Sequence, residues 1–164
     1  MGKVKKIMVA IGFTPYSEGL FRYAAGMAEN LAAELLVVSV INVRDVEAVG
    51  TITAMGYEVD GDHYVSGIKR ERKQILTSFC EKVTLPGERV RAITRVGNPI
   101  DEILKISLRE EVDLIVMGVK GRTDLEHALV GSVAEKVFRR SPIPILSYRD
   151  EKSAERLRKH IHPG

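Results

Sequence analysis

Short unbroken apolar runs alternate with helically spaced apolar stripes along this chain, and that order limits the fold more than any other feature. Ile7 to Ile11 is the first run. It is rich in branched residues and shows no polar alternation, as a strand covered on both faces requires. Thr14 and Pro15 follow as the cap and first-turn proline of a predicted helix, on which Leu20, Ala24, Met27, Ala28 and Leu31 recur at helical spacing to about Ala33. Leu35 to Ile41, interrupted only by Ser39, is a second buried strand. The stretch from Arg44 to Gly61 carries three glycines and no sustained period, so it reads as a long irregular connection with room for one short helix.

From His63 to Val83 a helix returns, with Ile68, Ile75, Leu76, Phe79 and Val83 inward and Lys69, Arg72 and Lys73 on a charged outer face. Pro86 and Gly87 force a turn. Val90 to Val96 is a third strand, and Pro99 opens a third helix striped by Ile100, Ile103, Leu104 and Leu108. Leu114 to Met117 is the fourth strand and stops at Gly118. Val133, Ala134, Val137 and Phe138 mark a fourth helix, and Ile143 to Tyr148, with two prolines at its start, is the fifth strand.

Strands alternating with helices imply right-handed crossovers and an α/β fold, an open five-stranded, mainly parallel sheet with helices on both faces, Rossmann-like in architecture; the order taken for it is 3-2-1-4-5. Prolines at the opening of the last strand suit a sheet edge, where missing donors matter less. An apolar edge needs cover, so a homodimer pairing through Ile145 to Tyr148 is expected.

The 164 residues, 45% hydrophobic and 29% charged, suit a single soluble domain, placed at residues 1–149 and followed by a basic tail at 150–164. Basic and acidic side chains number 25 and 22 and are intermixed, an excess too small to argue for nucleic acid. The one basic region runs from Arg139 to the end, with Arg139, Arg140, Arg149, Lys152, Arg156, Arg158 and Lys159, and a short helix in the tail has only Leu157 and Ile161 to dock with. No apolar run matches a signal-peptide core or a bilayer span, so no membrane partner and a cytoplasmic location are expected. Lone Cys80, among Leu76, Phe79 and Val83, reads as a small buried hydrophobe.

In sheets of this kind ligands bind beyond the carboxyl ends of the strands where strand order reverses, here between strands one and four. Unusual residues stand at both ends: Gly12 after the first strand, and Gly118, Gly121, Gly131 and Ser132 after the fourth. A residue without Cβ lets the backbone turn sharply or touch a ligand. Gly118 would admit a sugar or phosphate, and Gly121 a left-handed bend that turns amides inward as an anion nest. Gly131 and Ser132 would set a helix N-terminus toward the same anion. Ser132 with Glu135 also satisfies a capping box, which needs no ligand.

The segment MGVKGRTDLEHALVGSVAEKVFRRSPIPIL, residues 117–146, resembles the nucleotide-binding signature of universal stress proteins, G-2x-G-9x-G-[ST], matched at Gly118, Gly121, Gly131 and Ser132. The likeness extends through the order of strands and helices to Tyr148. It implies an adenine nucleotide alpha hydrolase-like sheet and membership of the subgroup that binds ATP, or its relatives ADP and AMP, with Mg2+ as an optional companion of the phosphates. Carried over, it places Val40 beside the base, Met117 and Gly118 near the ribose, and Gly121, Arg122, Gly131, Ser132 and Val133 around the phosphates. Family members commonly carry an aspartate at the end of the first strand, contacting the nucleoside. This chain has Gly12, which removes a carboxylate contact or lets the backbone itself approach.

No G-x4-G-K-[ST] loop and no G-x-G-x-x-G turn is present, which disfavours P-loop and dinucleotide enzymes. Lys120 and Arg122 could supply charge, but Asp124, Glu126 and His127 fit no recognised catalytic set. The reading is therefore a nucleotide-dependent switch of the stress response, at most a weak ATPase, acting on an unidentified protein partner. The alternatives are a nucleotide hydrolase or transferase on the same platform and a nucleotide-free dimeric scaffold.

Overall fold

The computed structural model describes residues 2–58, 60–119 and 130–164. Its sheet has five strands in the order β3-β2-β1-β4-β5, with β1 at Lys6–Ala10, β2 at Glu34–Asn42, β3 at Val90–Gly97, β4 at Leu114–Gly118 and β5 at Ile145–Tyr148. Every pairing is parallel, and β1 lies centrally with Ile7 opposite Leu35 on one side and Leu114 on the other. The expected fold class and strand order are therefore those observed.

Alternation of side chains across the sheet divides the core in two. Ile7, Val9, Leu35, Val37 and Val116 point to the face covered by α1 (Ser17–Asn30) and α3 (Gly61–Cys80). Met8, Leu36, Val38, Ile115 and Met117 point to the face covered by α4 (Pro99–Arg109) and α5 (Ser132–Arg140). Each strand feeds both layers, so its residues are apolar without interruption. On the first face the rings of Phe21 and Phe79 stand 5.7 Å apart and join α1 to α3. An aromatic pair of this kind contributes about 0.5–1.5 kcal/mol beyond the area it buries.

Four local expectations need correction. The segment expected to be irregular is largely α2 (Val43–Ala54), capped by Asn42, whose side chain accepts from the Arg44 amide at 3.0 Å. None of its residues is buried, so no apolar stripe advertises it. Helix α1 starts at Ser17 and not at Thr14: the Thr14 carbonyl and hydroxyl accept from the Ser17 and Tyr16 amides, which makes residues 14–16 a turn ahead of the helix. The prolines of the last strand precede it, since β5 begins at Ile145. Arg72, expected on the outer face of α3, is buried, because it occupies the inward row between Ile68 and Phe79.

The tail contains α6 (Glu151–Arg158), capped by Asp150 and holding a buried Ser153. Cys80 is half-buried and packs at the edge of the α1–α3 core, where loss of water raises its thiol above the ordinary value. No helix among the described residues is long and apolar enough to cross a membrane.

Candidate functional site

From β1 the chain crosses over one face to β2, and from β4 over the other face to β5. The connections thus diverge at the neighbouring ends of β1 and β4 and leave a crevice between them. A cleft of about 480 Å³ opens there, within the range typical of small-molecule sites.

Its floor is apolar, made by Val38 and Val40 of β2, Met117 of β4 and Ile103 of α4. Gly12 borders it after β1, Gly118 and Val119 after β4, and Gly131, Ser132, Val133 and Ala134 at the start of α5. Seven of the nine residues expected at the site therefore meet in one cleft. Gly121 and Arg122 lie outside the described residues, as do Lys120, Asp124, Glu126 and His127.

The start of α5 differs from the expected capping box. Gly131 is the N-cap, in extended conformation, and no side chain among the described residues caps the helix. The Gly131 amide donates to the Val119 carbonyl at 2.5 Å, so the two chain ends flanking residues 120–129 are tied together. The Gly131 carbonyl accepts the first helical bond, from Glu135. Ser132 is consequently the first helical residue, one place too late to cap. The amides of Ser132, Val133 and Ala134 are the first-turn donors that an α-helix cannot satisfy internally, and all three residues line the cleft. The helix dipole adds about half a positive charge at that end.

Several cleft residues escaped the sequence reading. Arg72 is 8% exposed, the only buried charged side chain among the described residues, with its guanidinium 5.1 Å from the centre of the Phe13 ring. Such stacking contributes about 0.5–2 kcal/mol. Phe13 itself holds a φ of 54°, so the chain bends sharply as it leaves β1. The detectable signal for Arg72 was its spacing: a basic residue four after Ile68 and three before Ile75 sits in the apolar row.

Tyr148, the last residue of β5, Asp150 just after it, and Asp45, in the first turn of α2, add to the polar lining. The Tyr148 hydroxyl stands 2.7 Å from where a Cβ on Gly19 would be, a close approach that only glycine permits. Loss of water, reinforced by Asp150 and Glu151, pushes the Tyr148 phenol above its ordinary value, so it is a neutral donor at physiological pH.

Chemically, the cleft offers an apolar slot for a planar ring and backbone donors for an anion at one end. Among the described residues no group of three or more His, Cys, Asp or Glu could hold a metal ion.

The chain matches the family model described as the Universal stress protein family over residues 3–149. It is 27% identical over 157 residues to Universal stress protein MJ0577 of Methanocaldococcus jannaschii, covering 91% of this chain and 97% of that protein. It is 31% identical over 148 residues to Universal stress protein YxiE of Bacillus subtilis, covering 88% and 98%. The solved structure of MJ0577 superposes with a TM-score of 0.74 at 26% identity, over 92% of this chain and 99% of that one. Two more distant structures share the fold: a universal stress protein in complex with cAMP, with a TM-score of 0.60 at 20% identity over 90% of this chain and 98% of that one, and one from Archaeoglobus fulgidus in complex with dAMP, with a TM-score of 0.61 at 18% identity over 90% and 100%.

Proposed function

The chain belongs to the universal stress protein family, and from that premise we propose that it is an adenine-nucleotide-binding regulatory protein whose ligand is ATP or its relatives ADP and AMP. The observation that carries this reading is the convergence of the uncapped N-terminus of α5 with the glycine-bordered exit of β4 on one apolar-floored cleft. The amides of Ser132 and Val133, together with Gly121 and Arg122, take the phosphates. Met117 and Gly118 face the ribose and Val40 the base. The Gly131 amide is committed to Val119, so Gly131 contributes room for the phosphates and not a donor. That two structures of this fold were solved with cAMP and dAMP supports the nucleotide class.

Mg2+ would enter with the phosphates, as this ion commonly does, coordinated by phosphate and water oxygens. The protein acts as a switch: occupancy orders the cleft rim and alters what a protein partner meets, with turnover of ATP slower than about one per second. Two copies pair through β5, which lies at the sheet edge.

The test is a thermal scan with ATP, ADP, AMP and GTP. Ligand at a hundredfold excess over Kd adds about 2.7 kcal/mol to stability, so ATP should raise the melting temperature. Ser132→Asp separates a phosphate site from a bare helix end. A carboxylate in the first turn of α5 favours the unliganded helix by about 0.3–1 kcal/mol, yet it repels phosphate. The variant should melt no lower than the parent and lose the ATP-induced rise. An equal rise in parent and variant would remove α5 from the site, and no rise with any adenylate would refute the reading.

A further inference from the structure

Two carboxylates line the cleft among the described residues, those of Asp45 and Asp150. Asp150 is committed: its Oδ1 accepts from the Ser153 amide at 2.9 Å and its Oδ2 from the Ser153 hydroxyl at 2.6 Å, which fixes the start of α6. Asp45 has no hydrogen-bond or ion-pair partner among the described residues. Its neighbours on that wall are engaged, the Asn42 side chain with the Arg44 amide and the Arg72 guanidinium over the Phe13 ring. The exit of β1 presents Gly12 and so no carboxylate. Among the described residues one uncommitted acid therefore lines the cleft on the β2 side, as Val40 does, while the first residues of α5 line it on the β4 side.

A helix-dipole role alone would account for an acid in the first turn of α2, but not for its position on the cleft wall. A carboxylate there repels phosphate and attracts hydroxyl donors, so it sets the direction in which an elongated nucleotide lies. In dinucleotide-binding doubly wound sheets an acid accepts from the ribose, and here too a carboxylate offers two oxygens to two vicinal hydroxyl donors. We infer that Asp45 is a specificity residue of this cleft: its carboxylate accepts from the ribose 2′- and 3′-hydroxyls and makes the site favour nucleotides whose diol is free. This rests on the nucleotide reading above and adds to it the sugar chemistry the site selects.

Isothermal titration of the full chain with ATP, 2′-deoxy-ATP and 3′-deoxy-ATP tests it, in the parent, Asp45→Ala and Asp45→Asn. A hydrogen bond to a charged group contributes about 1.5–3 kcal/mol, so the parent should bind ATP about tenfold or more tighter than at least one deoxy analogue. In Asp45→Ala, ATP and the two deoxy analogues should bind alike, with the preference of Asp45→Asn between those of Asp45→Ala and the parent. Because Asp45 is exposed on a helix with no buried residue, both variants should melt with the parent. Equal affinity of the parent for ATP and both analogues, or a preference that survives in Asp45→Ala, would overturn the inference and leave nucleotide binding standing. Failure of the parent to bind ATP at all would overturn the nucleotide reading and this inference with it.

Discussion

Gly12 and Gly19 look alike in the sequence, but the fold treats them differently. A Cβ at Gly19 would stand 2.7 Å from the Tyr148 hydroxyl, so the packing of α1 on the last strand requires glycine there. Among the described residues a Cβ at Gly12 would meet only the Thr14 Cγ2, at 3.7 Å, and the Gly12 backbone lies outside the left-handed region. Nothing among the described residues demands glycine at that position. Gly12→Asp is therefore expected to fold with an unchanged melting temperature and, by restoring a carboxylate at the exit of β1, to tighten ATP about tenfold. Unchanged or weaker binding by titration would show that this exit does not touch the nucleoside. Arg72 makes the complementary point. Its charge suggested solvent, whereas its place in the inward row of α3, over Phe13, decided its burial.

The helices differ in how they begin, and the difference separates scaffold from site. Helix α4 is closed off: Asn98 accepts from the Ile100 amide at 3.0 Å and the Asp101 amide at 3.2 Å, with Pro99 at the first position. Asn98→Ala should cost about 1 kcal/mol, read as a lower urea midpoint at constant slope, with nucleotide affinity unchanged; a variant as stable as the parent would show that the cap contributes nothing. Helix α5 begins with Gly131 and no side-chain cap, and its donors face the cleft. The sequence places a plausible capping box here, and only a one-residue offset of the true start, held by the bond between Gly131 and Val119, frees those donors. Helix α2 was illegible for another reason. Periodicity appears where a face is buried, and α2 buries none; Val43, Val46 and Val49 are only half-buried.

For the molecule as a whole, β3 and β5 are the sheet edges, and β5 is the shorter and more apolar of the two. If β5 pairs with a second copy, native mass spectrometry should find a species of twice the 18.2 kDa chain; a monomer at micromolar concentration would sink the pairing. The central strands and the two-layer core were readable beforehand because each central strand is buried on both faces, and that burial writes itself into consecutive residues. The glycine series after β4 was readable because close backbone approach leaves a local compositional mark. By itself, then, the sequence determined the alternation of strands and helices, the parallel sheet and the strand ends at which a ligand would lie. Only the tertiary structure decided which residues share the cleft. Asp45, Arg72, Tyr148 and Asp150 are brought to Gly12 and Ser132 by strand register and by helices crossing opposite faces. Those are long-range packing relations, and no local window of sequence contains them.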